Sequence, residues 1–213
     1  MRSGFKNIVF NLMPKSILFY KGRPRRNLVA LTFDDGPHPQ NTQLVLKILK
    51  DAGIKATFFL TGAESAKYPQ LVKDIFDSGN EIGSHNFSHS HIRKMKYKDI
   101  SCEIQQANKT MKDITGVSPK LFRPPYGELS IGLLLLMLFK KMTLLLWSVD
   151  SNDTYEKTSQ GIRNRLNALK AGDIIVLHED YQHTVDALPL IIKDIKQKGL
   201  RFGLVSELME KTA

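Results

Sequence analysis

Two adjacent carboxylates, Asp34 and Asp35, end a short apolar run and lead into Gly36-Pro37. Fifty residues on, His85 and His89 stand four apart within Gly83-Ser84-His85-Asn86-Phe87-Ser88-His89-Ser90. One carboxylate and two imidazoles form a facial donor set that suits zinc or another divalent ion with positions left open. A histidine pair at this spacing is weak evidence alone, since two surface histidines usually account for it. The paired-acid turn at a second strand end reverses that judgement. Asp35, His85 and His89 are therefore the expected metal ligands, with the histidines on a loop entering a helix. His91 lies two residues beyond His89 and is read as a surface histidine.

A divalent ion lowers the pKa of its bound water from 15.7 to about 7. Asp34 is placed to take that water's proton, because neighbouring carboxylates repel and are best divided between metal ligation and base duty. A turn role for Asp34 does not explain why both positions are acidic. Arg123 precedes Pro124-Pro125-Tyr126-Gly127, a rigid run, and is expected to hold Asp34 by a fork-shaped ion pair. The Tyr126 backbone N–H would then face a developing oxyanion, a donor typically worth ~3 kcal/mol. His178 ends Val176-Leu177-His178 and is the expected general acid for a leaving amine, oriented and kept protonated by Asp150. Leu177 is expected to line a small apolar pocket for an acyl methyl group, with Pro125 and Tyr126 completing the substrate contacts.

These residues need elements to position them. Strand-like runs fall at 28–33, 56–60, 81–83, 121–123, 143–149, 173–177 and 202–205. Helical patterns fall near 41–52, 69–78, 97–115, 129–141, 156–170, 184–198 and 206–211. Seven strands alternating with helices predict an α/β fold with a parallel sheet, right-handed crossovers and a closed or nearly closed barrel. Reactive residues in such barrels come from the C-terminal ends of strands, which is where Asp34, Asp35, His85, Arg123, Asp150 and His178 fall. An open doubly wound sheet fits the alternation almost as well, but no glycine-rich phosphate loop follows the first strand.

A 42% hydrophobic fraction supplies a sizeable core and argues against disorder. The single cysteine, Cys102, excludes an internal disulfide framework and a cysteine-rich zinc ribbon. No apolar run reaches the roughly 18 residues of a membrane span; the longest, 131–146, is broken by Lys140 and Lys141. Of the net charge of +10, seven basic residues lie within residues 1–30, which contain no acid, leaving +3 for the other 183. With no basic, aromatic-interleaved stripe, nucleic acid is not an expected partner. Phe5, Ile8, Val9 and Leu12 recur at helical spacing up to Pro14, so residues 1–27 are read as a basic extension packed on the domain, with peripheral contact to an anionic membrane as the rival reading. No apolar stretch precedes a small-residue cleavage site, so the expected location is the cytoplasm or the periphery of the inner membrane.

Taken together, the sequence resembles the polysaccharide deacetylases, carbohydrate esterase family 4, built on the NodB homology domain. Thr32-Phe33-Asp34-Asp35-Gly36-Pro37, Ser84-His85-Asn86-Phe87-Ser88-His89, Arg123-Pro124-Pro125-Tyr126-Gly127 and Leu177-His178 match family motifs in the family's order, across about residues 28–208. The resemblance implies a distorted (β/α)7 barrel in a single domain, 28–213. It also implies removal of N-acetyl groups from amino sugars of a chitooligosaccharide- or peptidoglycan-like glycan, with zinc foremost and cobalt, nickel or manganese as alternatives. Hydrolysis of O-acetyl esters or N-formyl groups on a glycan or lipid-linked sugar, and a non-catalytic glycan-binding module of the same fold, are the competing readings. One motif departs: Asp150-Ser151-Asn152-Asp153-Thr154 carries Thr154 where the family usually has Trp, and Trp147, expected to face the core, is no obvious replacement.

Overall fold

The computed structural model describes residues 13–24 and 27–210. Its strands, in chain order, are β1 (Leu18–Phe19), β2 (Leu28–Asp34), β3 (Thr57–Leu60), β4 (Glu81–Ser84), β5 (Leu121–Phe122), β6 (Thr143–Leu145), β7 (Val149–Asp150), β8 (Ile174–His178) and β9 (Arg201–Phe202). The helices are α1 (Asn41–Ala52), α2 (Gly62–Lys67), α3 (Pro69–Asp77), α4 (Tyr97–Thr115), α5 (Ile131–Lys140), α6 (Ser159–Arg165), α7 (Gln182–Gln197) and α8 (Val205–Met209). Every strand pairing is parallel, in the order β1-β6-β5-β4-β3-β2-β8-β7, with β9 on the lower end of β2. The sheet curls into the distorted barrel expected from the motifs.

Period-two alternation along β2 explains the layering. Val29, Leu31 and Phe33 face outward into a core shared with Val45, Leu49, Leu188 and Ile191 of α1 and α7. Ala30, Thr32 and Asp34 face inward, where Ala30 meets Phe59, Leu145 and Ile174. In α1 the buried Asn41, Thr42, Val45, Leu46 and Leu49 keep helical spacing, and Gly53 closes the helix at φ 67°. Burying such Leu, Ile and Phe side chains contributes ~1.5–3 kcal/mol each. That packing holds the strand ends rigid beneath the site.

The expected strand at 143–149 is two strands. Leu146 N–H bonds to Phe19 at one edge of the sheet, and Ser148 N–H bonds to Ile174 at the other. One apolar run thus crosses the gap between the edges, because closing the curl requires it. Leu18–Phe19 joins the sheet against Leu144–Leu145 rather than only packing on its outside. The apolar pattern of Phe5, Ile8, Val9 and Leu12 lies outside the described residues. Helix α2 was not expected: six residues carry too little periodicity to read.

Candidate active site

The inward face of β2 ends in Asp34, and its neighbour across the ladder on β8 is His178. Successive strand residues point to opposite faces, so Asp34 and Asp35 should diverge. Asp35 instead adopts φ 71°, and both carboxylates approach His85: Nε2 lies 3.3 Å from Asp35 Oδ1 and 4.0 Å from Asp34 Oδ2. Asn86, His89 and Tyr126 also take positive φ, at 69°, 56° and 59°. For residues other than glycine this costs energy and persists only where surroundings impose it, which marks this rim as functional.

His85 follows the last residue of β4 and is buried. Its Nδ1 lies 2.8 Å from the Arg123 carbonyl oxygen, which can only accept, so Nδ1 carries the proton and Nε2 presents a lone pair. His89 brings Nε2 to 3.0 Å from the same Asp35 Oδ1. That oxygen is buried and accepts no hydrogen bond, and the donor atoms of Asp35, His85 and His89 all lie within 4.8 Å of one another. Two imidazole nitrogens and a carboxylate oxygen this close together suit a cation, so the residues fit a divalent ion. Burial alone would raise the Asp35 carboxyl; the two imidazoles beside it prevail and hold it well below the usual carboxylate range. His89 and its neighbours form a loop that enters a single 3-10 turn at Ile92–Lys94, just before α4.

Arg123, fully buried, donates through Nη1 to Asp34 Oδ1 at 2.6 Å and to Thr32 Oγ1 at 2.7 Å, and its guanidinium lies over the Phe59 ring. This is the expected clamp, made through one nitrogen rather than a fork, and it leaves Asp34 Oδ2 facing the histidines. The chain after Pro124 turns sharply through Pro125 to Gly127. Tyr126 is exposed, its ring stacked on His91 at 3.9 Å between centroids and tilted against His89 at 4.8 Å. His91 is therefore more than a surface residue: its Nδ1 lies 3.1 Å from Glu128, bracing this loop. Trp147 is half-buried, as part of the barrel core, and its ring also lies against Gly127.

Two expectations are corrected. Asp150 does not orient His178: it is exposed, and its Oδ1 accepts from Asn152 N–H at 2.8 Å in a local turn. Asn152 at φ 59° folds the chain back so that Asp153, fully buried, reaches His178 instead. Asp153 accepts from His178 Nδ1 at 2.8 Å, from His178 N–H at 2.7 Å and from the Thr184 hydroxyl at 2.9 Å. Burial opposes ionisation of Asp153, yet these donors hold its carboxyl low; burial likewise opposes the His178 cation, yet Asp153 raises it to about 9. Leu177 does not line the site either. It alternates away from His178 into the helix-facing core with Leu188, and Val176 shares the inner face with Thr32 and His178.

Two residues near the site escaped sequence reading. Tyr181 sets its ring edge-on to His178, 6.1 Å between centroids, and places an aromatic beside the exposed Thr154. Glu179 is fully buried against Gly36, where any side chain would collide with its carboxyl; its oxygens make no hydrogen bond of good geometry, the Thr42 hydroxyl and His38 N–H favour its anion only weakly, and burial prevails, pushing it up to about 8.

A family model described as polysaccharide deacetylase matches residues 21–142. The peptidoglycan-N-acetylmuramic acid deacetylase PdaC of Bacillus subtilis is 35% identical over 188 residues, which are 88% of this chain and 40% of that protein. The chain therefore spans less than half that relative's length. Among solved structures, the peptidoglycan N-acetylglucosamine deacetylase Bc1960 matches with a TM-score of 0.89 at 32% identity, covering 94% of this chain and 98% of that one. BA3943, a CE4 family pseudoenzyme from Bacillus anthracis, matches with a TM-score of 0.87 at 26% identity, covering 95% and 71%.

Proposed function

The chain belongs to the polysaccharide deacetylase family, and from that premise and the geometry of its site we propose that it hydrolyses the N-acetyl amide of amino sugars in peptidoglycan. N-acetylglucosamine is the sugar we favour, because Bc1960, matched over almost its whole length, is named for it. The observation that carries the reading is the convergence of Asp35, His85 and His89 next to the Arg123-held Asp34, with a raised histidine across the ladder.

Asp35, His85 and His89 would hold the divalent ion, zinc by the character of a two-imidazole, one-carboxylate set. Its chemistry there is that of a Lewis acid, polarising a carbonyl and making water acidic near neutrality. Asp34 Oδ2 takes a proton from the attacking water while Arg123 keeps Oδ1 engaged, so the carboxylate cannot rotate away. Water oxygen bonds to the amide carbon. His178 then gives its Nε2 proton to the amine as the carbon–nitrogen bond breaks, releasing acetate and the free amino sugar. Asp153 holds the ring for that transfer through Nδ1. Tyr181 beside Thr154 supplies aromatic surface near where the family's usual Trp would stand.

The competing reading is a non-catalytic glycan-binding module, favoured by the likeness to BA3943. Against it stands the assembled set of base, ligands and acid in this chain. Acetate release from peptidoglycan fragments separates the two. The deacetylase reading expects release that a chelator abolishes and zinc restores, and loss of turnover in Asp34→Asn with metal content retained. Metal-loaded, folded protein that releases nothing from peptidoglycan or chitooligosaccharides would leave the binding module as the better account.

A further inference from the structure

The outer face of α5 carries no function in the reaction, and its composition is unusual for a surface helix. Leu133, Leu136 and Met137 fill the core beside Ile104 and Phe122. Yet Ile131, Leu135, Leu138 and Phe139 are exposed on the opposite side, Phe139 by 75%. Their spacing, i, i+4, i+7 and i+8, makes one continuous stripe, so the helix is apolar all round while only half of it is covered. Ten residues are too few to cross a bilayer, and no helix among the described residues is long and apolar enough to do so.

Charge collects at the C-terminal end of the same helix. Lys109, Lys112, Lys120, Lys140 and Lys141 border a single depression there. Among the described residues only Lys109 has an acidic partner, Asp113 one turn along its own helix. The N-terminal segment enters at this edge as well: Thr143 Oγ1 donates to the Ser16 carbonyl, next to exposed Lys15.

We propose that this face of α5, with the lysines at its end, docks on an anionic lipid bilayer. Leu138 and Phe139 would seat among the acyl chains at the headgroup boundary while the lysines meet lipid phosphates, the division of labour of an interfacial amphipathic surface. A second copy of this chain fits poorly, because a two-fold contact through this face would set like-charged lysine clusters against each other. A soluble polyanion would engage the lysines and leave the apolar stripe uncovered. Helix α5 runs from the site end of the barrel, just after Pro125–Gly127, toward the opposite end. Docking at its lysine end therefore turns the open strand ends away from the bilayer.

Co-sedimentation of the full chain with phosphatidylcholine vesicles, with and without phosphatidylglycerol, tests this. Binding is expected only with the anionic lipid. Leu138→Glu/Phe139→Glu and Lys112→Glu/Lys120→Glu, all at exposed positions and checked for unchanged thermal unfolding, should each weaken it at least tenfold, and hydrolysis of a soluble glycan should stay unchanged. Three results would overturn the proposal: no binding by the wild-type chain, binding by both variants as strong as wild type, or loss in the lysine variant alone, which would mark a polyanion site. Light scattering provides a fourth, since a dimer that Leu138→Glu/Phe139→Glu dissociates without any vesicle binding would make the face a contact between copies.

Discussion

Asp153, bonded to His178, and Glu179, the next residue in the chain after it, both have no exposed surface, yet their carboxyls are shifted in opposite directions. Asp153 receives three donors and its carboxyl is held low. Glu179 makes no hydrogen bond of good geometry, the nearby Thr42 hydroxyl and His38 N–H offset little of its burial, and it is pushed up to about 8. Desolvation penalises both anions; what differs is the supply of N–H and O–H groups aimed at the oxygens. Depth of burial sets the cost of a charge, and the donors decide whether it is met. In the proposed reaction the low one acts through His178, and the raised one packs beneath the Asp35–Gly36 turn.

The largest effect that would break this contrast is on turnover. Asp153→Asn keeps the shape but removes the charge that sustains the His178 cation, and kcat should fall by about 10²–10⁴. Metal content, read by atomic absorption, should not change. A loss below tenfold would show that Asp153 is not the partner that matters.

A proton-level test sharpens the same point. In metal-free protein followed by NMR, His178 should titrate near 9, and in Asp153→Asn its midpoint should drop toward the ordinary value of about 6.5. Because the folded pKa is raised, the native state binds more protons than the unfolded chain between about 6.5 and 9. The stabilisation from this pair is therefore fully present below 6.5 and is lost as pH rises to 9.

Glu179→Gln should act on stability rather than on chemistry. Between pH 4.5 and about 8 the folded protein keeps the Glu179 proton and the unfolded chain loses it, so wild-type stability falls as pH rises through that window. The amide removes this dependence. Chemical denaturation should find the variant close to wild type at pH 4.5 and more stable at pH 8, by on the order of a few kcal/mol. A difference independent of pH would mean that Glu179 is already ionised in the native state.

The smallest expected effect is the most discriminating between neighbours in sequence. Asp150→Asn leaves its turn bond to Asn152 intact and touches nothing else in the site, so acetate release should stay within about twofold of wild type.

Much of this site was readable before any coordinates. Asp34, Asp35, His85, His89, Arg123 and His178 come together because β/α alternation sends each strand's C-terminal end to one rim, and alternation is a local pattern. Val176 rather than Leu177 on the inner face was also open to a period-two count from His178. The choice between Asp150 and Asp153 was not. It turns on Asn152 at φ 59°, a conformation that no spacing of residue types announces. Strand β1 and helix α2 were missed because two and six residues are too short for a period to show.

What the sequence determined by itself is the inventory and the order: which reactive groups end which strands, in a chain whose apolar periodicity commits it to a parallel barrel. Tertiary structure alone decided their protonation and pairing. The donors that ionise Asp153 come from His178 and Thr184, 25 and 31 residues away, and the turn that buries Glu179 is the one bearing Asp35 of the candidate metal site. Hydrogen bonding and desolvation act through space over a few ångströms, so a carboxylate's charge belongs to its neighbours in the fold rather than to its neighbours in the chain.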